Sequence, residues 1–368
     1  MSTRRIVDEG GNLMYQFDHG CQYISTPKTE CFRKELEKWK ERKWVEPWQG
    51  TFATISCAPS SKSSSSSNGE IQLYIEDPVK EKYVGYPSMN TICEHLLQTR
   101  LEHSHSTLSV STGKQARAVQ VHSEDQPPWQ IYHNNELLGS YDWLIVTDRN
   151  SAQEARKDLA DATVAEYKQV NKQVNSIKSI TTMIAFEKRL PLPFDGITFD
   201  YNSNPAVMRD QFKSLGWAAR DSSKPGRTKE NDCWVLQSNP EEAVRLLSEF
   251  QDASLPQIRE VIRERMVSDF IESIPTLIAK RSGSDGMEQV KIPKIVHSIG
   301  HRWGAAFPSF TKQQATENDN AFKDKECQIL PEEKFVACGD YFGALFHGRV
   351  EGAFLSGRAA ANEVLKFI

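Results

Sequence analysis

The chain lacks the marks of several function classes. No apolar run approaches the roughly 20 residues needed to span a bilayer, so no membrane span is expected. No Cys-x-x-Cys pair occurs among Cys21, Cys31, Cys57, Cys93, Cys233, Cys327 and Cys338, and their number is odd. That argues against a structural zinc site or a disulfide framework, and for a reducing compartment. There is no Gly-x-Ser-x-Gly elbow, which sets aside that class of serine hydrolase. The opening 26 residues have no apolar core of a secretory signal. A formal net charge of −4 gives no bulk basicity for nucleic acid. His297 and His301 stand four apart, but no carboxylate or cysteine is spaced to complete a metal site. No predicted strand runs into Gly-x-Gly-x-x-Gly either.

What the chain does have is concentrated at its end. Residues 335–338 read as a short buried strand, and Gly339-Asp340 ends it. A helix is predicted from about Val350 onward. Within it Gly352, Ser356 and Ala360 stand four apart, as do Ala353, Gly357 and Ala361, and residues at that spacing share a helix face. One side of the helix is therefore nearly without bulk. Each glycine there costs about 1 kcal/mol relative to alanine, so something is expected to sit close against it. Tight packing on a sheet is one explanation. The other is a ligand cradle, because an acid and a helix N-terminus at the carboxyl end of a strand suit an electron-rich group.

The order Gly-Asp, then Gly-Arg-Val-Glu-Gly-Ala-Phe-Leu-Ser-Gly-Arg-Ala-Ala-Ala, resembles the C-terminal flavin-binding signature of the FAD-dependent amine oxidases, the renalase-like branch in particular. Asp18-His19-Gly20-Cys21-Gln22-Tyr23 resembles that family's Asp-His-Gly-Ala-Gln-Tyr-type stretch, with Cys21 where alanine is usual. Gly85, Pro87, Met89 and Asn90, the stretch 214–227, and the His-Arg-Trp at 301–303 also match in order. The resemblance implies FAD as cofactor. It places Asp340, with Gly339, on the ribityl chain, and Val350, Glu351, Gly352 and Ala353 at the pyrimidine side of the flavin. It places Gly20, Cys21, Gln22 and Tyr23 on the ring's other side and Arg4 and Arg5 nearest the diphosphate. Trp303 and His301 become candidates for the substrate pocket, and no general base is assigned. The family's Gly-rich fingerprint precedes the part matched here. The expectation is therefore a chain truncated at its N-terminus by the first βαβ unit, on the order of 30–40 residues.

The remaining residues read as alternating short strands and amphipathic helices. Asp8 to Asn12 is a hairpin turn, and Phe32, Leu36 and Trp39 mark a helix that Pro47 stops. Serine-rich 60–67 is a loop inside a hairpin spanning 45–80. A helix carrying Ile92, Leu96 and Leu97 follows, with Met89 in the core. Strands are expected at 117–121, 129–132, 142–146, 181–186, 196–199 and 234–237, and through Trp217 and Ala218. Helices are expected at 151–174, 240–250 and 258–274, with Pro191, Pro193 and Pro205 as punctuation.

The expected fold is α/β: an FAD/NAD(P)-binding Rossmann-like domain, N-terminally truncated, from 1–44, 81–180 and 330–368, with an antiparallel-sheet plus helices substrate domain from 45–80 and 181–329. The expected activity is hydride transfer from an amine or a dihydronicotinamide donor such as NAD(P)H to flavin, then to oxygen, giving hydrogen peroxide. A quinone acceptor is a variant of this. The alternative is a non-enzymatic remnant or binding protein that has lost the dinucleotide half. The expected partner is a small-molecule substrate. The expected compartment is intracellular, cytoplasmic or organellar, the chloroplast included, with any targeting segment in the missing part.

Overall fold

The computed structural model describes residues 1–58, 70–103, 108–123, 125–148, 174–202, 204–283, 290–310, 326–342 and 346–368. The serine-rich loop at 60–67 and nearly all of the helix expected at 151–174 lie outside these residues. Sheets and helices are mixed, as an α/β chain requires. The chain divides into two compact units. Unit 1 comprises Met1–Thr26, Lys34–Glu102 and Lys178–Ala306, and unit 2 comprises Pro27–Arg33, His103–Ile177 and Phe307–Ile368. Contacts thus group Met1–Thr26 with Lys178–Ala306, whereas the domain reading above grouped it with 330–368.

Unit 1 opens with a hairpin, β1 (Thr3–Val7) and β2 (Leu13–Asp18), joined by the expected turn. A small sheet follows from β3 (Ile24–Ser25), β4 (Val45–Pro47) and β7 (Lys82–Gly85). The main sheet has seven strands in the order β16-β12-β15-β14-β13-β5-β6. They are β5 (Phe52–Ala58), β6 (Glu70–Ile75), β12 (Val174–Phe186), β13 (Gly196–Phe199), β14 (Leu215–Arg220), β15 (Asp232–Ser238) and β16 (Ile295–Phe310). β12 with β15, β15 with β14, β14 with β13 and β5 with β6 pair antiparallel, and β13 with β5 pairs parallel. One sheet face is covered by α3 (Pro205–Phe212), α4 (Pro240–Glu249) and α5 (Leu255–Ser282). There Phe194, Phe212, Trp234, Met266 and Phe270 form a fully buried core. On the other face Tyr15 and Phe17 of the hairpin pack on Met183, Ala185, Cys233 and Val235. Period-two alternation in β12 and β15 feeds both cores.

Unit 2 holds a three-stranded meander, β8 (Ala116–Gln120), β9 (Trp129–His133) and β10 (Glu136–Tyr141). It also holds β11 (Leu144–Val146), β18 (Phe335–Ala337) and β17 (Gln328–Leu330). There β11 and β18 run parallel, with Leu144 opposite Phe335. Helix α6 (Val350–Val364) packs Ala360 and Val364 onto Val336 and Cys338.

Several local readings need correction. Helix α1 (Glu30–Glu41) ends before Pro47, because Lys43 takes φ +59° and the Trp44 N–H turns back to the Trp39 carbonyl at 2.8 Å. That is a left-handed C-terminal cap, and it frees Val45–Pro47 to form β4. Pro205 opens α3, because Asn204 accepts the Val207 N–H and proline suits a first helical turn. In α2 (Thr91–His103) Ile92 is buried, but Leu96 and Leu97 are exposed. The strand β10 had no clear alternation in the sequence and was not expected.

Candidate functional site

The cradle residues at 339–353 lie in unit 2. Strand β18 is three fully buried residues hydrogen-bonded to β11, and the Cys338 N–H continues that ladder to the Val146 carbonyl at 2.9 Å. Gly339 then turns the chain at φ +138°, and a Cβ there would lie 2.4 Å from the Thr147 carbonyl oxygen. Only glycine fits. The Gly339 N–H donates to Ser356 Oγ at 2.9 Å, so the middle of α6 fixes the turn. The Asp340 carbonyl accepts the Gly348 N–H at 2.7 Å, which closes the loop. The Asp340 side chain is exposed and its carboxylate accepts a hydrogen bond from its own backbone N–H, while surrounding protein raises its carboxyl above the usual range.

The small stripes of α6 have two different surroundings. Gly352, Ser356 and Ala360 are buried, and a Cβ on Gly352 would meet the Phe346 carbonyl oxygen at 2.2 Å. Close backbone approach explains that stripe. Gly357 and Ala361 are exposed, and nothing lies within 4 Å of a Cβ on Gly357. Ala353 is partly buried beside Val350.

Glu351 is buried, and its carboxylate accepts the N–H groups of Lys28 and Thr29 and the Thr29 hydroxyl, the last two at 2.7 Å. An acid in that position satisfies free donors at the start of α1 and complements its dipole. The N-cap of α6 itself is Arg349, which makes no side-chain capping bond. The first turn of α6 therefore receives no capping bond from the side chain of its N-cap residue.

The other candidates lie in unit 1. Arg5 donates to Ser88 Oγ at 2.8 Å and Asn90 Oδ1 at 3.2 Å, tying the hairpin to the turn before α2. Gln22 folds back on the carbonyls of Asp18 and Gly20, and Gln237 also reaches the Gly20 carbonyl at 3.2 Å. The loop 20–23 is thus held in place by amides. Cys21 donates to the Tyr23 carbonyl at 3.4 Å, and burial pushes its thiol up to about 11. It stays protonated at neutral pH and is no nucleophile. Tyr23 packs between Trp48 and Trp217 with ring centroids 6.3 and 5.8 Å away. Trp303 stacks on His19 at 5.2 Å and donates to its carbonyl at 3.2 Å, and His301 meets Trp303 edge-on at 4.5 Å. His301 and Trp303 therefore do gather against the 19–23 loop.

Sequence reasoning missed a buried charge cluster in the same unit. Asp18 and Asp221 are fully buried with Lys224 and Arg227. Lys224 Nζ lies 2.5 Å from Asp221 Oδ1 and 3.3 Å from Asp18 Oδ2. Arg227 bridges the same two carboxylates. Asp18 also accepts the Thr3 hydroxyl at 2.7 Å and the Met89 N–H at 3.1 Å. Burial opposes ionisation of Asp18, but Lys224 and Arg227 hold its carboxyl below the usual range. Beside it Arg220 pairs with Asp232 at 3.0 Å and Asp195 at 3.2 Å. The one available signal was charge density in the stretch 214–227, read above only as strand and turn. Among the described residues no group of His, Cys, Asp and Glu could hold a metal ion, and no helix is long and apolar enough to cross a membrane.

Comparison with solved structures finds similar chains, three of which follow. A proposed protoporphyrinogen oxidase from Exiguobacterium sp. 255-15 matches at TM-score 0.47 and 12% identity over 79% of this chain and 54% of that one. An oxidoreductase from Methanosarcina mazei matches at 0.47 and 10% over 78% and 56%. Cyclohexylamine oxidase from Brevibacterium oxydans IH-35A matches at 0.43 and 10% over 69% and 48%. This chain spans about half the length of those proteins. Residues 213–365, which carry the Gly339–Ala353 cradle, match the model of the flavin containing amine oxidoreductase family.

Proposed function

We propose that the chain is an FAD-dependent oxidoreductase of the amine oxidase type. The observation that carries this reading is the cradle of unit 2, because it lies inside the stretch that matches the flavin family. Its chemistry fits a flavin nucleotide. Asp340 has an exposed carboxyl, engaged by its own backbone N–H and with acceptor capacity left for hydroxyls. The α6 N-terminus has no capping bond from its N-cap side chain and its dipole is suited to stabilise negative charge. Gly339 lets the backbone turn tightly at that point. When bound, FAD would take two electrons from an amine or a dihydronicotinamide donor and pass them to oxygen, giving hydrogen peroxide.

The chain's residues would do the rest. Asp340 would orient the bound group, and the α6 dipole would favour its reduced, more negative form. Following the resemblance, Trp303 and Tyr23 of unit 1 are proposed as aromatic residues for a flat substrate. The renalase-like subtype is part of this proposal. It is tested by mixing the FAD-loaded chain with primary amines and with dihydronicotinamides without oxygen. Loss of visible flavin absorbance, followed by peroxide on admitting air, is expected for one donor class. Absorbance unchanged by every donor contradicts the oxidase reading.

A further inference from the structure

Strands β17 and β18 of unit 2 end on a pair of thiols. Their antiparallel register sets Gln328 opposite Ala337, Ile329 opposite Val336 and Leu330 opposite Phe335. One step further out, Cys327 stands opposite Cys338. The hydrogen bonds fix what kind of pair this is. The Cys338 N–H turns away from β17 and donates to the Val146 carbonyl on β11 at 2.9 Å. The Lys334 carbonyl, at the same parity of the chain, likewise turns to β11 and accepts the Leu144 N–H at 3.0 Å. Toward β17, therefore, Cys338 sits in a non-hydrogen-bonded pair. Such pairs bring two antiparallel strands closest, with Cα atoms about 4.5 Å apart, and a disulfide spans Cα separations of about 4.4–6.8 Å. The two side chains also share a face. Period two puts Cys338 with Val336 and Cys327 with Ile329, and all four belong to the cluster that packs on Ala360 and Val364 of α6. Both are free thiols, Cys327 partly exposed and Cys338 buried.

We propose that Cys327 and Cys338 are an oxidative modification site, closing a reversible cross-strand disulfide under the action of hydrogen peroxide or a small-molecule disulfide. With peroxide, Cys327 Sγ is the sulfur that the oxidant reaches. Its thiolate attacks one oxygen, the O–O bond breaks, and a sulfenic acid forms as hydroxide leaves. Cys338 Sγ then attacks Cys327 Sγ, and the S–O bond breaks with loss of water. The two thiols give up two electrons and two protons, and the peroxide ends as two waters. Excess thiol reverses the link by exchange. Cys338 directly precedes Gly339, so the link ties the turn of the cradle to β17. It rests on unit 2 alone and is independent of the flavin reading. Burial pushes both thiols up to about 11; Glu363 and Glu326 push Cys327 the same way against Lys366, and Cys327 adds to the rise at Cys338. Both are protonated at neutral pH, so oxidation is slow there and quickens about tenfold for each pH unit below that value.

The test treats the reduced full chain at about pH 9, where thiolate is more abundant, with hydrogen peroxide and, separately, with oxidised glutathione. The remaining thiols are then alkylated and the peptides mapped by mass spectrometry. A peptide pair joined through Cys327 and Cys338 is expected with both oxidants, and dithiothreitol should release it. Oxidation should raise the thermal transition by about 5 °C or more, because the link closes a loop of the unfolded chain. Cys327→Ser should melt like the reduced parent and lose that rise. The peptide map needs no variant, so it decides the matter even if Cys327→Ser does not fold. The proposal is wrong if Cys327 and Cys338 are still alkylated separately after a large excess of either oxidant, or if they link to other cysteines instead. A linked chain whose thermal transition has not moved would overturn the bracing of the cradle turn.

Discussion

At the residue scale the unit 1 core is set by charges as much as by apolar side chains. Asp18 and Asp221 face Lys224 and Arg227 with no exposure of any of the four side chains beyond 2%. Removing one partner of such a buried pair leaves an uncompensated charge and costs about 3–5 kcal/mol. Asp18→Asn is therefore expected to lower stability by about that amount in urea unfolding. A loss under about 1 kcal/mol would show that the cluster is screened like a surface pair. A second expectation concerns pH. His19 and His301 are held at about 4 in the fold, against 6.5 for the free side chain. Between those values the unfolded chain binds more protons, so stability must rise with pH across the window from about 4 to 6.5. Replacing both by glutamine should flatten a plot of melting temperature against pH in that window, and an unchanged slope would assign the dependence elsewhere.

None of these roles was legible in the sequence. A lone Asp at a strand end and a Lys-Pro-Gly-Arg turn look like surface features until the fold brings residues 18 and 221 together. By contrast Met89, expected in the core, is fully buried, although its chain neighbours Ser88 and Asn90 are polar.

At the element scale α6 separates the two explanations that its small residues allow. Gly352 meets the Phe346 carbonyl, so packing accounts for the stripe 352–356–360. Gly357 faces open space. The two glycines should then respond oppositely to the same change. Gly352→Ala must move backbone and is expected to destabilise by about 1–3 kcal/mol, as overpacking does. Gly357→Ala relieves the helix cost of glycine and should stabilise by about 0.5–1 kcal/mol. Thermal melts of both variants decide this, and a destabilised Gly357→Ala would mean that something in solution packs on that face.

Strands such as β13 and β15 were readable within a few residues, whereas only the second half of β12 was read and β16 was not expected as a strand from alternation. Boundaries set by backbone geometry were not. The left-handed Lys43 that ends α1 and the Asn204 cap that starts α3 depend on single residues with little compositional signal. Glu351 is a similar case. Its family-like position suggested the flavin, while its carboxylate is seated on the N–H groups of Lys28 and Thr29.

At the scale of the whole molecule, the sequence pattern anticipated a mixed α/β chain and the hairpins of both units, and the seven-stranded sheet joins most of the strands expected in isolation. Its order could not be read from sequence, since β5 pairs with β13 across more than a hundred residues. The central claim concerns flavin. The most direct test is the visible absorption spectrum of the 368-residue chain after incubation with FAD and desalting, compared with Asp340→Ala. The account predicts a retained flavin spectrum in the parent chain and a weaker one in the variant, because Asp340 is the cradle's exposed carboxylate acceptor. A colourless parent chain would contradict the claim that this chain acts as a flavin oxidoreductase, and would favour a binding protein on the same scaffold.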